Sequence, residues 1–272
     1  MIELHNALAF SIEQLAAAFN RCFEGYVIPI NLTAPMAAAF LRMHTTDLAN
    51  SIIAMDGETV AGILVVNRRG TTSRVGAMAV APEYRSQGVG AKMMSKAIED
   101  AKFRNDLRII LEAIAHNERA IAFYDRFGYQ VQHRLLGFEH PPLTDSSAPS
   151  IQEIDLDQLA ALLLARPQSS LSWETSAAAA IQYVSPTRAF EHEGMGAAIV
   201  HSSEFTMFRT VALSGRDDVR KLKTMLEAFN VIYPGCSFKA QPAFPEPEFG
   251  EVFEKAGFVV SDLKQVEMRL TL

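Results

Sequence analysis

The sequence predicts an α/β (α+β) protein built from two similar domains, and three observations carry that expectation. Its 272 residues are about the length of two ordinary domains. Helix-period and strand-period runs alternate through the first half in the order ααβββαβαβ. The second half then repeats part of the pattern at an offset of 129 residues. Ala120, Phe123, Tyr124, Phe127, Gly128 and Tyr129 correspond to Phe249, Val252, Phe253, Ala256, Gly257 and Phe258, so a helix face, a closing glycine and an aromatic recur together.

Each element has a local reason. Ile12, Leu15, Ala16, Phe19 and Phe23 make one apolar helical stripe behind Ser11, a suitable N-cap. Thr33-Ala34-Pro35 opens a short second helix, with proline in its first turn. Ser51–Met55 and Thr59–Val66 read as strands joined by the turn dipeptide Asp56-Gly57. Val75–Val80 is a third strand. A helix follows over about 88–103, with Met93, Met94, Ala97, Ile98 and Ala101 on its apolar side. Leu107–Ala115 is a strand, Asn117–Phe127 a helix closed by Gly128, and Tyr129–Leu136 a last strand. Pro141–Ser150 is rich in Pro and Ser without periodicity and reads as a linker. The expected division is therefore a domain over 1–139, a linker over 140–150 and a second domain over 151–272. In that second domain a helix carries Leu156, Leu159, Ala160 and Leu163, strands lie around 196–200 and 205–213, and a helix carries Val219, Leu222, Leu226 and Phe229. A strand, a helix and a closing strand over 259–272 complete it.

Composition narrows the function classes. The chain is 49% hydrophobic and 21% charged with a net charge of −6, which is globular and gives no footprint for nucleic acid or an anionic membrane. No apolar run nears the roughly 18 residues of a membrane span; the longest, Leu159–Ala165, reads as a helix core. The start, Met1-Ile2-Glu3-Leu4-His5, lacks the basic and apolar regions of a leader, so a cytoplasmic protein is expected. Two cysteines, Cys22 and Cys236, make no disulfide framework. Trp173, the single tryptophan, reads as a packing anchor rather than a ligand platform.

The segment Val80–Lys92 carries the chemistry. A strand ends, Pro82 stops it, and Gly88 and Gly90 open a long helix whose first amides can cradle phosphate. It is neither a P-loop nor a dinucleotide fingerprint, because no Gly-Lys-Ser/Thr follows and Met93 stands where the third glycine belongs. A Gly-x-Gly alone is also consistent with a plain tight turn. In context, Arg85-x-x-Gly88-x-Gly90 between strand and helix resembles the pyrophosphate loop of the GNAT superfamily of N-acetyltransferases. Asn117-Glu118-Arg119-Ala120-Ile121-Ala122-Phe123-Tyr124-Asp125-Arg126-Phe127-Gly128-Tyr129 resembles that superfamily's Asn-x-x-Ala-x-x-x-Tyr-x-x-x-Gly-aromatic pattern. Ser86 departs from the pattern, where many members carry glycine.

The resemblance covers residues 1 to about 138 and implies a fold of two tandem acyl-CoA N-acyltransferase-like domains, with mixed, mostly antiparallel sheets flanked by helices. It implies acetyl-CoA as donor and no metal. Arg85, Ser86, Gln87, Gly88, Val89, Gly90 and Ala91 would form the pyrophosphate loop, Met78, Ala79 and Val80 would receive the pantetheine arm along an open strand edge, and Asn117 would contact that arm. Tyr124 resembles the general-acid tyrosine that protonates the leaving thiolate; read without the motif, it is a core tyrosine. Leu111-Glu112-Ala113 with Asn117 and Tyr124 resembles the arrangement of the ribosomal-protein N-terminal acetyltransferases, in which the glutamate acts through water as base. The alternative for Glu112 is a salt bridge, and His116 or water are rival bases. An acceptor amine must lose a proton before attack, and the Val80 amide is a suitable donor to the oxyanion that forms.

The second half lacks these groups. Its corresponding helix follows Leu213-Ser214-Gly215-Arg216-Asp217-Asp218, with one glycine and two carboxylates that repel pyrophosphate. Tyr124, Asn117 and Glu112 correspond to Phe253, Glu246 and Gln241, and Pro245 and Pro247 crowd the edge. The closing Lys264–Leu270 and Ser170-Leu171-Ser172-Trp173 resemble tandem acetyltransferases with one working copy. The expectation is an N-acetyltransferase that acts on a primary amine, of a small molecule or a peptide, by direct attack in a ternary complex. The acceptor would enter over Phe23–Asn31, and the chain could form a homodimer. The alternative is a non-catalytic acyl-CoA-binding regulator.

Overall fold

The computed structural model describes residues 1–26, 30–144, 147, 149–165, 167 and 171–272. These form two compact units. The first holds Met1–Glu112, Arg119–Val131 and Met268–Leu272, and the second holds Ala113–Glu118 and Gln132–Glu267.

In the first unit, strand β1 (Ile2–Asn6) is followed by helices α1 (Ile12–Cys22) and α2 (Ala34–Met43). Strands β2 (Ile52–Asp56), β3 (Thr59–Arg69) and β4 (Thr72–Val80) form an antiparallel run. Helix α3 (Val89–Phe103), strand β5 (Arg108–Ile114), helix α4 (Glu118–Asp125) and the start of β6 (Gln130–His140) complete the first pass. The strand order is β1-β2-β3-β4-β5, with the end of β12 (Val259–Thr271) next; there the Leu272 amide donates to the Leu107 carbonyl at 3.1 Å.

Ser11 starts α1 with a full capping box, its hydroxyl accepting from the Gln14 amide and Gln14 Oε1 accepting from the Ser11 amide at 2.8 Å. Thr33 caps α2, with Pro35 in its first turn. Gly57, at φ +59°, makes the β2–β3 turn possible. Leu15, Phe19, Leu41, Ile53 and Ile63 form the core between these helices and the sheet. The expected order ααβββαβαβ omits β1, which precedes the helices. Ile2 and Leu4 are too few to announce a strand, and the ladder from Ile2–Asp56 to Asn6–Ile52 supplies what the local sequence does not. The last strand of the first half likewise runs past Leu136 to His140, because β11 pairs with it there.

In the second unit come β7 (Gln152–Ile154), α5 (Leu156–Leu164), α6 (Ala177–Ala180), β8 (Arg188–His192), β9 (Met195–His201) and β10 (Phe205–Ala212). Then follow α7 (Asp218–Ile232), β11 (Ser237–Pro245), α8 (Glu246–Ala256) and β12. The strand order is β12-β6-β11-β10-β9-β8-β7. Short β7 and β8 escaped the sequence expectation for the same reason as β1. The aromatic core holds Phe138, Phe208, Phe244, Phe253 and Phe258, all buried. Between Pro141 and Ser150 the described residues form no helix or strand, and Asp145, Ser146 and Ala148 lie outside the described residues. Among the described residues no helix is long and apolar enough to cross a membrane, and no group of three or more His, Cys, Asp or Glu could hold a metal ion.

Candidate active site

The site begins with an unpaired strand edge. β4 and β5 pair in parallel from Thr72–Arg108 to Val75–Leu111 and no further, although β4 runs on to Val80. On its other side β4 stays paired with β3 through Met78–Leu64, Ala79–Ile63 and Val80–Gly62. The Ala81 amide donates to the Ala61 carbonyl at 3.0 Å, the bond that flanks a non-hydrogen-bonded antiparallel pair. Val80 therefore turns its N–H and C=O toward the open edge. Met78, two residues back, does the same, while Ala79 faces Ile63. Arg85 Nε donates to the Val80 carbonyl at 3.0 Å, which leaves the Val80 N–H aimed into the gap.

The loop after β4 is shaped by two left-handed residues, Ser86 at φ +65° and Gly88 at φ +83°. A Cβ on Gly88 would touch nothing, so glycine serves the conformation there, not the space. Gly90 is the opposite case. A Cβ would lie 3.1 Å from Met78 Cε, 3.6 Å from Val80 Cγ2 and 3.8 Å from Phe123 Cζ, so its absence lets the first turn of α3 settle on the end of β4 beside α4. Gly88 caps α3 with no side-chain hydrogen bond, and the helix ladder starts with the Lys92 amide donating to the Gly88 carbonyl at 2.9 Å. The amides of Val89, Gly90 and Ala91 come before that bond and point out of the helix end. Arg85 does not aim at this opening. It donates to the carbonyls of Val80, of Glu24 at 2.6 Å and of Cys22 at 3.5 Å, tying the end of α1 to the loop. Gln87 Nε2 donates to the Glu83 carbonyl at 2.6 Å, and Glu83 is ion-paired with Arg21.

Tyr124 lies on α4, its ring 5.3 Å from Phe123 and 5.9 Å from Tyr129. Burial pushes its phenol well above the ordinary tyrosine value, and the nearby Tyr26 phenol adds to the shift. Among the described residues its hydroxyl has no hydrogen-bond partner. A phenol held protonated in this way suits an acid.

Glu112 sits on β5 one residue past the last β4–β5 pair. Its Oε2 accepts from Arg74 Nε at 2.7 Å, with both side chains buried. Arg74 NH1 also reaches Asn67 Oδ1 at 3.4 Å, and Asn67 fits because Gly76 lacks a Cβ that would fall 1.9 Å from its oxygen. The salt bridge foreseen as the alternative for Glu112 is thus present. The Asn117 amide donates to the Ile114 carbonyl at 2.9 Å in the turn before α4, and His116 is exposed in the same turn.

Sequence reasoning gave no role to Arg74, Tyr26 or Arg119. Arg74 in an apolar strand signals nothing until its buried partner is known. Tyr26 stands inside the expected acceptor segment, of which Val27, Ile28 and Pro29 lie outside the described residues. Arg119 stands inside the quoted motif, and its NH2 donates to Ser86 Oγ at 3.1 Å.

The second unit repeats the framework with carboxylates added to the loop. β10 and β11 pair in parallel from Phe205–Ser237 to Phe208–Ala240, and α7 has the 15 residues of α3. Asp217 holds the left-handed N-cap position at φ +54°. Asp218 turns its carboxylate back on the loop. It accepts from the Ser214 amide at 2.8 Å, the Ser214 hydroxyl at 2.6 Å and the Gly215 amide at 3.0 Å. Phe253 is buried and stacked on Phe138 at 4.5 Å, and Gln241 Nε2 donates to Glu174 Oε2 at 3.2 Å. Trp173 is buried; Ser170, the first residue of its motif, lies outside the described residues.

Residues 12–129 match the model of the acetyltransferase (GNAT) family. The chain is 33% identical over 90 residues to an N-alpha-acetyltransferase 30 from Schizosaccharomyces pombe, a stretch that is 31% of this chain and 60% of that protein. The match therefore spans about three-fifths of that relative's length. Among solved structures, a GCN5-related N-acetyltransferase from Sphaerobacter thermophilus is similar with a TM-score of 0.66 at 13% identity, over 99% of this chain and 95% of the other. A tandem GNAT protein from the clavulanic acid biosynthesis pathway is similar with a TM-score of 0.65 at 15% identity, over 100% of this chain and 98% of the other.

Proposed function

Because residues 12–129 match the model of the acetyltransferase (GNAT) family, we propose that the protein is an acetyl-CoA-dependent N-acetyltransferase. In this reading residues 1–139 hold the catalytic domain, 140–150 the linker and 151–272 a degenerate copy. The observation that carries it is the combination of an unpaired β4 edge and open helix amides in one place. Backbone groups at Met78 and Val80 can pair with an extended amide-bearing chain as a further strand would, and the amides of Val89, Gly90 and Ala91 can hold a pyrophosphate. Those residues fit the donor. Acetyl-CoA supplies the acyl group as an activated thioester.

The protein's own residues then do three things. The Val80 N–H, aimed into the gap, donates to the carbonyl oxygen as negative charge develops there. Tyr124, kept protonated by burial, delivers its phenolic proton to the departing sulfur. The α1–α2 side receives the acceptor, with Tyr26 beside Tyr124. The acceptor is a primary amine that attacks directly once neutral; at a pKa of about 8–10 it is mostly protonated near pH 7 and must first shed a proton. The similarity to the Schizosaccharomyces pombe N-alpha-acetyltransferase makes a peptide α-amine the first acceptor to test, with small amines second. Glu112, engaged by Arg74, can act as base only through water or by leaving that pair. The reading includes a cytoplasmic setting, in keeping with the buried, unbridged Cys22 and Cys236.

The test is release of free thiol from acetyl-CoA in the presence of a panel of peptides with free N-termini and small primary amines. Release that depends on one acceptor class is the expected result. Tight binding of CoA with no turnover on any amine would instead favour the non-catalytic acyl-CoA binder.

A further inference from the structure

Among the described residues, Arg21, Arg85, Lys92 and Arg119 lie in or bond to the segment from Pro82 to the first turn of α3, and three of them are committed. Arg21 is ion-paired with Glu83. Arg85 is spent on the carbonyls of Val80, Cys22 and Glu24. Lys92 donates to the carbonyl of Ile2. The fourth, Arg119 in the first turn of α4, has no carboxylate partner among the described residues. Its one hydrogen bond runs to a neutral group of the loop itself, Ser86 Oγ at 3.1 Å.

An exposed arginine ordinarily stays with solvent or an acid, and one hydrogen bond to a hydroxyl uses only one of its five donors. The loop Ser86–Ala91 carries no cation of its own. Its backbone amides alone would leave a multiply charged ligand short of neutralising charge.

The second unit supplies an independent comparison. At the same offset of 129 residues Arg119 becomes Glu248, in the copy whose loop is closed by Asp218. The charge at this position reverses in the copy whose loop also carries the carboxylates of Asp217 and Asp218.

We propose that Arg119 is a donor-binding residue: its guanidinium, parked on Ser86 over the loop, closes on a phosphate group of the CoA moiety. The inference rests on the reading of the first unit as an acetyl-CoA site. It adds a side-chain contact from α4 to the backbone contacts from α3, so the donor joins the loop to the helix that carries Tyr124.

Calorimetric titration of CoA into the full chain, with wild type beside Arg119→Gln and Arg119→Glu, tests it. Arg119 is exposed, so both variants should fold, and circular dichroism checks that they do. Arg119→Gln should raise Kd about tenfold and Arg119→Glu more, with a shallower dependence of Kd on salt than in wild type. Repeating the titration with 3′-dephospho-CoA locates the contact. A tenfold effect that persists places Arg119 on the pyrophosphate, and one that vanishes places it on the 3′-phosphate. If wild type binds CoA and both variants bind it within twofold, with unchanged salt dependence, the inference fails and the donor site stands. If wild type itself does not bind CoA, the reading of the site fails first and takes this inference with it.

Discussion

The helices α3 and α7 start from the same backbone and end in opposite states. Both have 15 residues, both follow a strand that pairs in parallel for four residues, and both have a left-handed residue at the N-cap. In the first unit that residue is Gly88, and the amides of Val89–Ala91 stay open. In the second it is Asp217, and the next residue folds its carboxylate onto the amides of Ser214 and Gly215. That carboxylate places the chain's own negative charge on the loop, where it repels an anion, while the first turn of α7 itself has no side-chain cap. The aromatic positions diverge in the same sense, with a phenol at Tyr124 and a ring packed on all sides at Phe253. An architecture can therefore keep its strands and helix starts while the chain itself makes the loop at their junction negative.

Four substitutions test how far that contrast goes. The largest effect is expected from Tyr124→Phe, which makes the first unit resemble the second. It should lower kcat by about 10²–10⁴ with donor affinity nearly unchanged, because only the proton for the leaving sulfur is lost. Steady-state rates with whichever acceptor the amine panel selects decide it; a kcat within a few-fold of wild type would make Tyr124 a packing residue, as Phe253 is. Since burial raises the Tyr124 phenol, its acid form persists beyond the ordinary tyrosine value of about 10. The wild-type kcat should therefore show no alkaline decline from this group below about pH 10, and a decline near pH 9 that Tyr124→Phe abolishes would contradict the assignment.

Next in size is Gly88→Asp, which imports the residue of the corresponding position, Asp217. It should weaken acetyl-CoA by at least about 2 kcal/mol, roughly thirtyfold, from charge repulsion and the strain of a left-handed side chain. Unaltered affinity by calorimetry in a folded variant would remove the loop from the donor site.

Phe253→Tyr runs the exchange the other way. The hydroxyl would enter an aromatic cluster with Phe138 at 4.5 Å, Phe258 at 4.9 Å and Phe244 at 5.3 Å. A loss of about 1–3 kcal/mol in denaturant unfolding is expected, from burial of a hydroxyl without a partner. Unchanged stability would mean that this core has room for a polar group.

The smallest effect is expected from Asp218→Ala. Loss of the loop bonds should lower stability by about 1 kcal/mol, and titration should still give one acetyl-CoA per chain, as in wild type. A second equivalent bound by the variant would show that Asp218 alone closes the second copy.

Much of this was legible in the residues. Ser11 and Gln14, Thr33 and Pro35, and Asp56-Gly57 act within a few residues of chain, so their cap and turn chemistry is local and readable. The pairing of Gly88 with Gly90 marked the loop for the same reason, and so did the 129-residue recurrence of helix face, glycine and aromatic. Other features depend on partners far along the chain. β1 exists because β2, some fifty residues later, offers it a ladder. The first unit also includes Met268–Leu272 from the far end of the chain, where Leu272 meets Leu107. That Glu112 is held by Arg74, that Arg85 binds three carbonyls, that Arg119 leans on Ser86 and that Asp218 turns back on its own loop are all decided by distance in space. Sequence by itself determined which groups this protein has and which of them lie on one helix face or one turn. Only tertiary structure decided which charges are already spent and which remain open, because a charge is satisfied by whatever lies within about 3 Å of it, however far away in the chain.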